Sequence, residues 1–420
     1  MADTGVKRRG TEGTNRLWTK NFTIITAGTV VSRLGSAISG FATGLLVLDY
    51  TQSTFYYALY MVLYTLPQIV MPTLAGPFID KFSRRKTIYT LDFCSALLYA
   101  VFAAVILTDN LNYGLLVAGC MLLGAINSVY MVAYDSFYPM LITEGNYTKA
   151  YSISSTLDSM TMLMVPVSVF LYNLVGIGPL FLIDMVSFLI AAVFETQIKV
   201  EEAYIKKEEE AFGFRQYRQT FEEGIRYLKA ERGLAIITVY FMITMFADGA
   251  SSVIGLPWFR ETYANGEYIY LLVMGCTLLG RLIGGAVHYK FKFPTEKKFL
   301  IALFVYASIS IFDGVYLFMP VPVMMALRFF CGILGVTSYN IRISATQSYV
   351  PDGRKGRFNG IFGMSMTFGM LLGEFFSGVL AELMDKRLVI LLFMSFNFAA
   401  VWLVMYRGKQ DVKEIYNREA

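Results

Sequence analysis

The sequence predicts an all-α integral membrane protein in which twelve transmembrane helices form two pseudo-symmetric six-helix bundles. Three observations point there. Hydrophobic residues make up 56% of the 420 positions and charged residues only 16%, with a mean hydropathy of +0.53, whereas a soluble domain averages about 45–50% and about 25%. Apolar stretches long enough to cross a hydrocarbon core, about 20 residues each, recur along the whole chain. The 36 lysines and arginines fall almost entirely in alternate gaps between those stretches, the asymmetry that orients a multi-span protein.

The twelve stretches lie at about 22–49, 55–79, 87–108, 113–139, 149–174, 178–197, 234–259, 268–289, 298–319, 321–349, 358–384 and 388–406. Strands of an outer-membrane barrel would be half as long with alternating polarity, so these are helices. The first is preceded by a polar, basic segment and followed by no small-residue cleavage site, so it reads as an uncleaved span. Lys7, Arg8, Arg9, Arg16 and Lys20 before it share one side with Lys81, Arg84, Arg85, Lys86 and Lys149. Lys290, Lys292, Lys297, Lys298, Arg354, Lys355, Arg357 and the C-terminal basic residues fall on that side too. The opposite loops carry only Arg260, Lys386 and Arg387. Both termini are therefore expected in the cytoplasm, and the chain in the cell membrane.

The long polar interval divides the chain into an N-terminal bundle (1–197), a cytoplasmic linker (198–232) and a C-terminal bundle (233–420). Within the linker Phe214, Tyr217, Phe221, Ile225 and Leu228 recur at helical spacing among charged residues. That pattern is an amphipathic helix, either on the membrane surface or packed by one face. The halves resemble each other. Cys120-Met-Leu-Leu-Gly124 matches Cys331-Gly-Ile-Leu-Gly335, Ala75-Gly76 matches Gly284-Gly285, and Pro139 matches Pro351, all at an offset of about 210 residues. A repeat about an axis along the membrane normal is a transporter architecture.

Span two ends in Gly76-Pro-Phe-Ile-Asp80-Lys81-Phe-Ser83-Arg84-Arg85. Here the chain resembles the major facilitator superfamily, whose loop between spans two and three reads G-x-x-x-D-[RK]-x-G-[RK]-[RK]. Ser83 departs from the usual glycine. The resemblance makes Gly76, Asp80, Lys81, Arg84 and Arg85 a gating motif, with Asp80 accepting hydrogen bonds at the start of span eleven, near Gly356-Arg357. Looser stretches resemble the branch of macrolide-efflux and enterobactin-export proteins: Ala27-Gly28 with Gly35-Ser36, Pro139 to Ile142, Glu223-Gly224-Ile225, and Gly373 to Ala381. That resemblance implies export of a small amphipathic compound coupled to protons. Two features depart from the antiporter pattern. Arg-x-x-x-Gly is absent from span four and occurs in span ten as Arg328 to Gly332, and span five keeps only Pro166 of a Gly-Pro signature.

Charges inside the spans give independent candidates: Asp92, Asp135, Asp158, Asp184, Asp248, Asp313 and Glu374 against Arg33, Arg281, Arg328 and Arg342. Each costs about 2.5–3.5 kcal/mol at a helix centre, roughly 30 kcal/mol together, so they must face protein or a wet cavity. An acid without a basic partner in low dielectric holds its proton more tightly than in water, which suits proton coupling. Asp92, near the inner surface, and Asp184 and Asp313, on peripheral spans of the resembled family, read as structural. Arg33 and Asp248, mid-span on spans one and seven, which line the cavity in the resembled family, are the leading substrate or coupling candidates, expected to pair across the cavity. Asp158 and Glu374 follow, then Asp135 and Arg342, where gate pairing competes with substrate contact. Tyr60 and Tyr64, and Tyr130, Tyr134 and Tyr138, each share a helix face and serve either as packing or as a pocket wall.

One His and four Cys, no phosphate-cradling loop and no Ser-His-Asp set leave no basis for an enzyme, a metal or a cofactor, and the basic residues form no nucleic-acid face. The expected partners are a small-molecule substrate, protons and the lipid bilayer, with the chain a monomer. Import or lysolipid flipping on the same fold, and a non-transporting membrane sensor or scaffold, are the competing readings.

Overall fold

The computed structural model describes residues 16–72, 79, 82–143, 146–200, 202, 214–290 and 294–418. Among them the chain is helical throughout, without strands. The N-terminal half holds α1 (Lys20–Thr51), α2 (Thr54–Thr65), α3 (Arg84–Leu107), α4 (Tyr113–Phe137), α5 (Tyr147–Val175) and α6 (Ile177–Glu195). The linker contributes α7 (Phe214–Ala230). The C-terminal half holds α8 (Arg232–Thr262), α9 (Gly266–Lys290), α10 (Lys298–Val315), α11 (Val321–Tyr349), α12 (Asp352–Ala381) and α13 (Lys386–Ala400), which runs on in a π-helical turn through Tyr406, followed by the short α14 (Lys409–Tyr416).

Ten of these helices are long and apolar enough to cross a membrane. The other two predicted spans correspond to α2 and α5. Helix α2 breaks where Pro67 removes a backbone donor, resumes over 67–72, and the rest of that stretch lies outside the described residues. In α5 the apolar part is Leu163–Val175. Polar side chains set several helix starts: Thr19 caps α1, Ser53 caps α2, Ser83 caps α3 and Asn112 caps α4, each accepting a hydrogen bond from an amide in the first turn. Only Gly176, at φ 74°, separates α5 from α6, a left-handed turn that suits glycine.

The halves repeat one packing scheme. Helix α1 packs on α5 and α6, as α8 packs on α12 and α13. Helix α3 packs on α4 and α6, as α10 packs on α11 and α13, and α2 meets α4 as α9 meets α11. Without a hydrophobic drive between helices in lipid, close approach of small residues holds such pairs. Gly369 and Gly373, one turn apart on α12, sit against the Met242 and Phe246 backbone of α8, and Gly249 returns the contact against Gly373. On the other side Gly28 and Gly35 of α1 face Ala191 and Ser187 of α6. The linker helix α7 packs on α12 and α8: Gly224 lies against Ile361, and Glu223 pairs with Arg357 at 2.9 Å.

A side chain at Gly373 has no room, because its first carbon would meet the Phe246 backbone. Gly373→Val should force α8 and α12 apart at a cost of about 1–3 kcal/mol. It should lower the thermal transition of the detergent-solubilised protein, whereas Gly335→Ala, at a position with open space, should not. Equal stability of the two variants would refute this packing.

Candidate functional site

A cavity of about 660 Å³ lies at the centre of the molecule, within the range that holds a drug-sized ligand. Its wall comes almost wholly from the N-terminal half. Helix α1 presents Arg33, Ser36, Ala37, Gly40, Phe41 and Gly44 at three- and four-residue spacing, one helical face of mostly small residues. Helix α2 adds Tyr57, Tyr60, Met61 and Tyr64, and α4 adds Asn127, Tyr130 and Met131. The C-terminal half supplies Met370 and Glu374 of α12.

Two charged groups stand out on this wall. The Arg33 guanidinium lies 5.5 Å from the centre of the Tyr134 ring and 3.9 Å from Met131 Sδ. Tyr134 stacks in turn between Tyr130 and Tyr138, at 5.9 and 5.2 Å between ring centres. A cation against an aromatic face is favourable where water is scarce. Glu374 is only 1% exposed, with Oε1 3.5 Å from Ser252 Oγ and Oε2 without a hydrogen-bond partner. Tyr57 of the other half is an electrostatic neighbour of Glu374. The tyrosine stripes thus serve both ends named for them: Tyr60, Tyr64 and Tyr130 on the wall, Tyr134 and Tyr138 in the packing behind it, where the Tyr138 hydroxyl donates to the Ala150 carbonyl at 2.9 Å.

The halves meet at the face away from the termini. Helix α2 packs on α12 and α8, and α5 on α9. Glu382, just past α12, accepts from Ser53 Oγ at 2.7 Å and from the Phe55 amide at 3.1 Å, so it caps the start of α2 from across the interface. Burial alone would push the Glu382 carboxyl up, but Ser53, the Phe55 amide and Lys386 hold it below its ordinary value. Arg260 reaches Asp49 at 2.5 Å, Asp49 also accepts from Tyr172, and Asn173 donates to Tyr268 at 3.2 Å. These contacts join the two halves on the termini-distal side.

At the opposite face, Gly76, Asp80 and Lys81 lie outside the described residues. Arg84 donates to the Ser136 carbonyl at 3.1 Å and Arg85 to the Ile198 carbonyl, tying the loop to the ends of α4 and α6 within the N-terminal half. Ser83, the departure from glycine, accepts from the Lys86 amide as the cap of α3 and donates to Glu202.

Asp248, Arg328, Arg342, Asp135 and Asp184 are not among the residues that line the cavity. Asp248 was expected to pair with Arg33. Its charged neighbours are instead Asp313, Arg328 and Arg281, all in the C-terminal half. Arg328 is bound to Asp313 at 2.5 Å and lies 5.4 Å from the Tyr316 ring centre. Arg342 is enclosed by the rings of Phe362, Phe241 and Tyr339 at 4.7, 5.2 and 5.3 Å. Asp135 is exposed near the end of α4, away from the cavity wall. Asp158 lies in α5, its side chain outside the described set. Asp184 is fully buried, accepting from Ser39 and from Ser187, the latter at 3.2 Å. His288 is half-buried and hydrogen-bonds Thr337 at 2.7 Å.

Comparison with known proteins adds to this geometry. The profile of a family described as transmembrane secretion effector matches residues 13–419. An MFS-type transporter of Bacillus subtilis, YkuC, is 26% identical over 65% of this chain and 66% of its own length. Macrolide efflux protein A of Streptococcus pyogenes is 22% identical over 87% of this chain and 90% of its own. Among solved structures, the nucleoside transporter NupG superposes with a TM-score of 0.70 at 14% identity, covering 92% of this chain and 99% of that one. A bacterial homologue of the iron transporter ferroportin, in an outward-facing state, gives 0.57 at 16% identity, covering 93% and 98%. At these identities the two structures establish a shared fold.

Proposed function

The chain belongs to the major facilitator superfamily of membrane transporters, and from that premise we propose that it is a secondary active exporter of a small amphipathic compound bearing a basic nitrogen, driven by protons. The central cavity carries this reading. It combines a wall of tyrosines, which suits a flat apolar body and a cation, with one nearly buried carboxylate, Glu374, from the opposite half. Export is supported by the likeness to macrolide efflux protein A. The bias of basic residues toward one set of loops supports termini in the cytoplasm and a chain in the cell membrane; on that reading the termini-distal face is the outer one and the cavity belongs to a state that loads from inside. In the alternate state Asp80 takes up its gating role at the start of α12 while the outer contacts part. The unit of transport is the monomer, since its own halves enclose the cavity.

The test is transport by the purified chain in proteoliposomes with a radiolabelled macrolide as first probe. For molecules inserted inside-out, an acidic lumen should drive accumulation, and a protonophore should abolish it. Accumulation that ignores the protonophore would overturn the coupling, and import in the native direction would overturn export.

A further inference from the structure

A second polar site lies beside the cavity, inside the N-terminal half. Asp92 of α3 is 1% exposed, and Glu195, the last residue of α6, is fully buried. Asp92 also belongs to the cavity wall. The two carboxyls are immediate electrostatic neighbours on the packed pair α3 and α6, with Glu195 Oε1 lying against Gly28 of α1, and Asp92 Oδ2 and both Glu195 oxygens have no hydrogen-bond partner. Two hydroxyls from other helices converge there in the same condition: Tyr130 of α4, 8% exposed, and Thr29 of α1, 1% exposed, both without a hydrogen-bond partner. Tyr130 is an electrostatic neighbour of both acids and lies within reach of Thr29. Tyr134 of α4 also faces Glu195, and Arg33 of α1 acts on Tyr134. No lysine or arginine is a neighbour of either carboxyl among the described residues.

Buried unpartnered polar atoms are costly and are retained where they do something. Two carboxyls facing each other without a cation cannot both ionise. A hydrogen bond between them needs a proton on one. We propose that Asp92 and Glu195 form a proton-binding pair that holds a single shared proton, exchanged with the cavity through Asp92 and steadied by the Tyr130 and Thr29 hydroxyls. The assignment deepens the reading of a proton-driven exporter and rests on it for its role in transport. In that role the proton is taken up and released beside the substrate, on the half that forms most of the cavity wall, and Glu374 is left free to meet the substrate.

The test uses dicyclohexylcarbodiimide, which modifies protonated carboxyls in apolar surroundings, on the full chain in lipid nanodiscs, with peptide mass spectrometry locating the label. Labelling at Asp92 or Glu195 is expected at pH 7 and should fall as pH rises. In Glu195→Gln the remaining Asp92 should lose its label at a pH lower by about one unit or more, since its partner's charge is gone, and Asp92→Asn should do the same to Glu195. Absence of label at both residues from pH 5 to 9, or label that no pH in that range alters, would overturn the pair. Protection by sodium but not by choline would make the site a metal-ion site and also overturn it. Because labelling needs no transport, a labelled pair in a protein whose transport ignores the pH gradient would sink the exporter's coupling and leave the pair standing. Gradient-driven transport with no label would do the reverse.

Discussion

Replacing Glu374 by glutamine should weaken binding of a cationic amphiphile at least tenfold, about 1.4 kcal/mol, and leave a neutral analogue of the same shape almost unaffected. The glutamine preserves volume and the contact with Ser252, so folding and the α8–α12 packing are retained. What it removes is the only carboxylate that the C-terminal half presents to the cavity among the described residues. In so apolar a setting a charge-assisted contact is worth about 1.5–3 kcal/mol. Binding measured for a matched pair of probes, one with a protonated amine and one without, reads the effect directly. Equal losses for both would mean that Glu374 only shapes the wall.

The second large effect lies at the sealed face. Arg260→Ala combined with Glu382→Gln removes the Asp49 ion pair and the carboxylate that caps α2. Each contact is partly exposed, so roughly 1 kcal/mol apiece is the expected loss after solvent screening. Together that moves the equilibrium between sealed and open forms by more than tenfold. Cys120 on the cavity wall is a ready reporter once Cys94, Cys276 and Cys331 are replaced by serine. An impermeant maleimide applied at the termini-distal face should label it more than tenfold faster in the double variant. Unchanged labelling would show that apolar packing, such as Gly378 against Ala58, holds that face alone.

The pH behaviour of this closure follows from Glu382. Its carboxyl is held below the ordinary 4.5 in the sealed form. The contact therefore contributes fully above that ordinary value and is lost as pH falls through the lower, sealed-form value. Between about pH 5.5 and 8 the sealed face should be insensitive to pH, and any pH dependence of transport in that window has to arise inside the halves.

The helical, multi-span fold was legible because bilayer thickness writes itself into sequence. The spans, the linker helix and the repeat all rest on period, length and composition. Depth was legible too: of the charges it marked, Arg33, ranked first with Asp248, and Glu374, ranked after them, line the cavity. Helix rotation was not. Asp248 sits at the right depth on a cavity-lining span, but its carboxyl belongs with Asp313, Arg328 and Arg281, a grouping that depends on how α8, α10, α11 and α9 are turned. Arg342 looks like a charge in need of an acid and instead rests among three rings. Glu195 was passed over because it ends an apolar run next to a charged linker, where an acid reads as a boundary. Its burial against α1, α3 and α4 is a tertiary fact. Ser83 looked like a flaw in the loop motif, whereas a serine there caps α3.

The lopsided wall of the cavity has one further consequence. With nearly every lining side chain among the described residues drawn from α1 to α6 and only Met370 and Glu374 from beyond the linker, a bound compound should travel with the first half if the two halves rock, and the second half should act on it as a lid that carries one charge. Substrate range is then a property that can drift by change in α1, α2 and α4 alone, while the later helices stay under the constraint of docking and release. A hybrid that joins these first six helices to the last six of a relative should inherit the chemical taste of the former and the opening and closing rates of the latter.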